Sequence, residues 1–334
     1  VALGTKLIQN FGVERMKGIY FSMILVLLIA CLVIFSQLQK SLLSFYSSQM
    51  SVENRVERMI NFYESLVHDS RKSVEIITTR AICSAVNYVV TNGIPLQSSN
   101  ETIAELILYG TINGSKQSLM ESSSAEDWEN AVEEIGKLQG FETDVEIDDL
   151  GVEQEDSFHL SISYSLNVRL YEKNIQANLT KNSREKVVVS IENIEDPLYP
   201  LSTYGRVINV IRLSPHWLNY SSEDLTNLKD DLNNSFYHPS LYGASFLDRL
   251  EGKYFVQEKY FKQYIGLESF VNKDKILFAG LPINANATNV DYLYFSNSNV
   301  TSYSILGMPS NFRLDNETTI ENKTHIQIYN VTVI

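Results

Sequence analysis

From Ile19 to Phe35 the chain reads IYFSMILVLLIACLVIF, seventeen residues with no charge and with Ser22 as the one strongly polar member. At ~1.5 Å per residue the run covers roughly 25 Å, and Gly18 and Ser36 bring it close to the ~30 Å hydrocarbon core of a bilayer. The pattern predicts one membrane-spanning helix over residues 19–36, with Ile19, Leu25, Leu28, Leu32 and Phe35 as its membrane or assembly positions. Leu38, Leu42 and Phe45 continue the helical spacing. From Val52 to Asn92 apolar residues then recur at Val56, Met59 or Ile60, Tyr63, Val67, Val74, Ile77, Ala81, Ala85 and Tyr88, with no Gly or Pro among them. A long amphipathic helix over 37–92 follows, with a kink expected at Ser47, Ser48 and Ser51 and a stop at Asn92-Gly93.

Beyond Gly93 the periodicity changes. Thr102 to Tyr109 and Glu126 to Leu138 read as short helices, the second with Trp128, Val132, Ile135 and Leu138 on one face. Period two then takes over: Val145 and Ile147, Leu160 through Leu170, and Val187 through Ile191 alternate with mostly polar neighbours. Three antiparallel strands in a meander explain this, joined near Gly151 to Ser157 and near Glu172 to Asn174, with the long helix covering their apolar face. The predicted class is α+β: a long N-terminal transmembrane and amphipathic helix packed on an antiparallel sheet, an α+β head over 93–200, and a β-rich portion over 201–334. That last portion is expected to hold a helix at Ser222 to Asn234 and strands including Ile276 to Ala279 and Tyr292 to Ser296.

Charge gives the apolar run a direction. Lys6, Arg15 and Lys17 precede it against Glu14, whereas after residue 36 there are 24 Lys and Arg against 39 Asp and Glu. The positive-inside rule places residues 1–18 in the cytoplasm, as a tail or leader, and the remainder outside. A net charge of -13 argues against nucleic acid as a partner, because phosphate binding needs clustered Lys and Arg. On the outer side Asn-x-Ser/Thr occurs at Asn100, Asn113, Asn178, Asn219, Asn233, Asn286, Asn299, Asn316, Asn322 and Asn330, and nowhere before residue 36. These are the candidate glycosylation sites of an exported chain.

Arg15-Met16-Lys17-Gly18 running directly into the apolar segment resembles the class III signal of archaeal type IV pilins, in which a peptidase cuts after a Gly preceded by basic residues. The resemblance covers about twenty residues; Met23 stands at the fifth position after Gly18, where those pilins carry Glu. It implies processing at Gly18 and a helix that anchors the protein or joins a filament. A long apolar-headed helix on an antiparallel sheet is also the pilin layout, and residues 201–334 exceed it. Two other fates compete. A cleaved secretory signal is shorter and ends in a small-x-small site, which is missing here. Leu28-Ile29-Ala30-Cys31 has the form of a lipobox, but Leu32-Val33-Ile34-Phe35 follows where a lipidated cysteine opens a polar tether, so Cys31 reads as a small apolar residue in a lipid-facing helix.

Local chemistry is sparse. Cys31 and Cys83 are too few for a disulfide scaffold, and Cys83 reads as a buried helix residue. His68, His159, His216, His238 and His325 show no metal-ligand spacing, and no nucleophile elbow, phosphate loop or dinucleotide fingerprint occurs. Asp144, Glu146, Asp148, Asp149, Glu153, Glu155 and Asp156 invite a calcium loop, but Val145 and Ile147 between them mark a strand with a solvated face. Phe246 to Gly252 reads as a charged helix end with ion pairs, and the tyrosines of 237–294 as core rings or a contact surface. No catalytic, cofactor or metal residue is expected. The expectation is a membrane-anchored extracellular structural or adhesion protein, a filament subunit or minor pilin. Its partners would be membrane lipid and further copies or other pilin-like subunits. A tethered binding or sensor domain that does not polymerise is the alternative, ahead of a lipoprotein or a hydrolase.

Overall fold

The computed structural model describes residues 2–260, 263–317 and 323–334, with the backbone alone for residues 2–20 and 22. The chain divides at Phe62/Tyr63 into two compact units. Helix α1 (Ala2–Asn92) makes up the described part of the first unit and opens the second. It is uninterrupted across Ser47, Ser48 and Ser51 because nothing there breaks the ladder, and it stops where expected: Gly93 takes φ +64° and its N–H returns to Val89 O at 2.8 Å.

In the second unit α2 (Ser99–Tyr109) ends on the left-handed Gly110, and a small hairpin, β1 (Thr111–Ile112) and β2 (Ser115–Lys116), turns through Asn113-Gly114, both at positive φ. The Glu105 carboxylate accepts from the N–H groups of Asn113 and Gly114 and holds that turn. Next, α3 (Ala125–Gln139) opens on a capping box between Ser124 and Asp127. It buries Ala125, Val132 and Gly136 rather than the expected Trp128, Val132, Ile135, Leu138 face; Leu138 is 87% exposed. The reason is a close approach: a Cβ on Gly136 would lie 1.9 Å from Thr143 Oγ1, so helix meets strand at the glycine.

The meander is as expected: β3 (Glu142–Asp156), β4 (His159–Glu172) and β5 (Ala177–Ser190) pair antiparallel in that order. Its first connection is tighter than predicted. Instead of leaving the sheet near Gly151, β3 bulges at Asp149 (φ +48°), recovers its pairing at Gly151 and turns only at Ser157 and Phe158. Leu160, Ile162, Tyr164, Leu166, Val168 and Leu170 are all fully buried. Residues 63–92 of α1 cover them, with Val74, Ile77, Ala81, Ile82, Ala85 and Val89 at 0–5% exposure. Ser70 Oγ meets Tyr164 OH at 3.0 Å, Arg71 pairs with Glu185, and Lys181 lies over the Tyr63 ring. Cys83 falls between these inward positions and is exposed, contrary to the buried role expected of it.

The remaining elements are short: α4 (Leu198–Thr203), α5 (Thr226–Asn234), β6 (Tyr237–Ser245), α6 (Phe246–Leu250), β7 (Gly266–Ser269), α7 (Lys273–Phe278), α8 (Asp291–Phe295), β8 (Ser302–Ser304), β9 (Arg313–Asp315) and α9 (His325–Ile328). Strands β6 and β7 pair, as do β8 and β9, both antiparallel. Two predicted strands are corrected here, since Ile276 to Ala279 and Tyr292 to Ser296 lie in or at the ends of α7 and α8. Apolar runs of four or five residues have no readable period, and Asn272 decides the first by accepting from the N–H groups of Asp274 and Lys275.

Candidate functional site

The expected membrane positions lie on α1. Leu25, Leu28, Leu32 and Phe35 are each at least half exposed, as are their apolar neighbours from Met23 to Phe45, and Cys31 is exposed among them. Gly18 and Ile19 are helical in backbone, and their side chains lie outside the described residues. Among the described residues one helix, near the N-terminus, is long and apolar enough to cross a membrane. In water each buriable apolar Å² left exposed forgoes ~25 cal/mol, so this surface calls for lipid or another apolar surface.

The sequons divide cleanly by exposure. Asn100, Asn113, Asn178, Asn219, Asn233, Asn286, Asn299, Asn316 and Asn330 are all exposed, and Asn322 lies outside the described residues. The buried asparagines Asn209 and Asn289 belong to no sequon. Asn113 sits at a hairpin tip and Asn330 in a left-handed turn at φ +44°, where its Nδ2 donates to Tyr220 O at 3.3 Å. The acidic side chains Asp144, Glu146 and Glu153 point outward from β3, and the described residues hold no His, Cys, Asp and Glu group able to bind a metal ion.

Two histidines come together across the C-terminal portion. His325 Nδ1 meets Asp315 at 2.5 Å and its Nε2 meets Glu268 at 3.2 Å; Glu268 also accepts from Tyr329 OH at 2.6 Å. Tyr329 OH lies 3.2 Å from His238 Nδ1, and His238 Nε2 is 3.1 Å from Asp231 and 2.8 Å from Tyr220 OH. Burial by itself lowers the His325 pKa, but Glu268 and Asp315 on either side reverse this and hold it at about 10. Burial raises both carboxyls in turn, and the imidazolium outweighs it to leave them low. His325, Asp315, Glu268, Tyr329, His238 and Asp231 are buried at 0–5% exposure, and the partly buried Tyr220 closes the chain of hydrogen bonds that ties these elements together.

No protein-family model matches this chain, and neither a curated protein nor a solved structure matches it.

A second buried assembly lies beside the first. Arg249, fully buried, donates to Asp196 and to Asp291 (2.9 Å) and reaches Leu267 O. Ion pairs are therefore present at the charged helix end of residues 246–252, with Arg249 turned into the interior. Lys273 is 1% exposed and donates to Ala287 O and Asn311 O at 2.7 and 2.9 Å; burial, with Arg313 nearby, lowers it to about 8.

Concave surface lies elsewhere. A polar cleft of about 670 Å³ forms where the start of α2, the end of β3 and the segment around and after α6 meet. Its walls are fastened by backbone and carboxylate bonds: Leu96 N–H donates to Leu250 O at 2.9 Å, and Ser99 N–H and Oγ both donate to Glu251 Oε1. Lys253 pairs with Asp248 and Glu251. Burial raises the Glu251 pKa, and the bonds from Lys253 and Ser99 outweigh it and keep it low. Nothing in the local sequence signals the cleft, because its residues come from stretches near 97–100, 153–154 and 245–265.

Proposed function

We propose that this chain is a membrane-anchored extracellular protein of pilin-like layout, with its N-terminus cytoplasmic and residues 37–334 outside, acting as a structural or adhesion module. The observation that carries the reading is the apolar surface of α1 from Met23 to Phe45, exposed on every described position and free of charge up to Lys40. Such a surface is stable in lipid or in the core of a helical filament and costly in water. Support also comes from the exposure of all nine described sequons and from the charge asymmetry around residues 19–36. The mechanism is burial of a helix, with the exposed Leu25, Leu28, Leu32 and Phe35 making its contacts.

The test is mass spectrometry of the mature N-terminus together with electron microscopy of native surface material. A chain that begins at Ile19 and is found in fibres supports the filament reading. A chain retaining residues before Gly18, held in membranes and absent from fibres, assigns it to a tethered binding or sensor domain. A lipid on Cys31 makes it a lipoprotein. Recovery from the soluble fraction without detergent ends the proposal.

A further inference from the structure

The polar cleft at the start of α2 has a composition that narrows its ligand. Gln97, Gln257 and Gln263 line it, and none makes a side-chain hydrogen bond among the described residues. Each amide offers a donor and an acceptor side by side, the pattern that matches neighbouring hydroxyl groups. Among the described lining residues three carboxylates, Glu153, Asp248 and Glu251, stand against Lys253 and Lys259, and Lys253 is already paired with two of them, which disfavours an anion. Leu247, Ile265 and the Tyr260 ring, which Lys259 overlies, are the apolar lining, too little for a hydrophobic ligand, and the described residues hold no metal-binding group. What remains is a neutral molecule rich in hydroxyls, and the volume lies within the ~300–1,000 Å³ of small-molecule sites.

The source of such a molecule is in the wall itself. Asn100 lines the cleft, is exposed, and opens the sequon Asn100-Glu101-Thr102. Its Oδ1 accepts from Ser99 Oγ at 3.2 Å, and its Nδ2, the atom that would carry a sugar, donates to none of the described residues. We propose that the glycan on Asn100 folds back into this cleft, so that the protein binds its own N-linked sugar through Gln97, Gln257 and Gln263. Attachment at the rim gives the sugar an effective concentration near millimolar, enough for a site whose hydrogen bonds are individually weak. The occupied cleft would fasten the segment after α6 to the start of α2. This rests on the reading above that these residues are exported and glycosylated.

The test uses the full-length protein purified from its native source in detergent, with glycopeptide mass spectrometry and amide hydrogen exchange over residues 253–260. The expected result is a sugar on Asn100 and exchange roughly threefold or more slower than in Asn100→Gln. Thr102→Val, which keeps the asparagine and removes the sequon, should behave like Asn100→Gln. The Asn113→Gln variant, which removes a sugar from the β1–β2 hairpin, should leave this segment unchanged. Gln97→Ala with Gln257→Ala should retain the sugar and lose the protection. An occupied Asn100 with exchange equal to Asn100→Gln overturns the proposal. A bare Asn100 with sugars on other sequons overturns it and spares the surface reading, whereas no sugar on any sequon removes both. If free oligosaccharides released from the native protein protect Asn100→Gln as well as the attached sugar protects the parent, the cleft belongs to glycans of other chains and the self-docking is wrong.

Discussion

Residues 63–194 and residues 195–334 are held together by different physics. In the first, apolar side chains two apart on β4 and three or four apart on α1 meet across a sheet-helix interface, and the alternates on the other face of β4 are small or polar, with Ser161 and Ser165 buried and Arg169 exposed. In the second, the interior holds Asp196, Asp231, His238, Arg249, Glu268, Lys273, Asp291, Asp315 and His325, all buried. Arg249 finds Asp291 and Asp196 at separations of 42 and 53 residues, and His325 finds Glu268 at 57. In the first half buried charge is confined to Glu172 and Glu185, the latter held by Arg71, and apolar burial dominates. The other needs each charge to find its partner, because a buried charge without one costs several kcal/mol.

The sharpest way to break that comparison is to remove one partner. Arg249→Ala leaves Asp196 and Asp291 facing each other in the dry interior and should cost about 3–5 kcal/mol, measured by denaturant unfolding of the full chain in detergent. Adding Asp196→Asn and Asp291→Asn should recover a substantial part of the loss. If the triple variant is no better than Arg249→Ala, the arginine acts by packing and the distinction between the halves fails. In the sheet, Leu166→Ala should cost about 2–5 kcal/mol through the cavity it leaves, and no second charge-removing change should restore it.

Legibility in the sequence follows the same division. The stop at Asn92-Gly93, α2, α3 and the three strands of the meander were all readable, because period 3.6 and period 2 are properties of neighbours in sequence. The face of α3 was not, since the helix approaches β3 at Gly136 and glycine carries no hydropathy signal. Cys83 was misplaced because its apolar neighbours Ile82, Ala85 and Val86 take the inward positions and turn it outward. In the C-terminal portion α7 and α8 are shorter than two turns. The partners of Arg249 lie 42 and 53 residues away and Glu268 lies 57 from His325. The nearer partners, Asp231 seven residues before His238 and Asp315 ten before His325, fall on no helix or ligand spacing that marks a pair. The cleft was invisible for the same reason, apart from Asn100, which the sequon marks.

The two halves also predict different pH windows. In the sheet half, burial pushes Glu129 up to about 7, although Ile147 N–H donates to it at 2.7 Å. A raised carboxyl contributes stability that is present below its unfolded pKa near 4.5 and is lost as pH rises through about 7. In the other half His325, raised from 6.5 to about 10, contributes stability that is complete below pH 6.5 and is lost as pH rises through about 10. Lys273 in the same half, lowered from 10.5 to about 8, works the opposite way and adds stability as pH rises between about 8 and 10.5. Unfolding free energy followed from pH 4 to 10.5 should therefore fall in two stages, first through the Glu129 window and then through the His325 window up to about pH 8, and level off above it, where Lys273 opposes His325. Glu129→Gln should flatten the acid stage alone and His325→Gln the alkaline stage alone. A single change that alters both stages would show that the halves are one electrostatic unit.

The smallest effect is expected where the sheet half borrows the other half's device. Tyr164 is fully buried under α1, and its hydroxyl lies 3.0 Å from Ser70 Oγ. The Ser70 proton goes to Val67 O at 2.9 Å, so the tyrosine is the donor in the pair. Tyr164→Phe therefore removes a donor, leaves the ring in place, and leaves Ser70 still donating to the helix. The cost should be about 1 kcal/mol, the usual net worth of one neutral hydrogen bond. Ser70→Ala with Tyr164→Phe should cost little more than Tyr164→Phe alone, because no polar atom of the pair is then left unmatched. A loss of about 3 kcal/mol or more for Tyr164→Phe would mean that this contact orients α1 on the sheet as Arg249 orients its two carboxylates. Apolar alternation would then be insufficient to explain even the half where it is most regular.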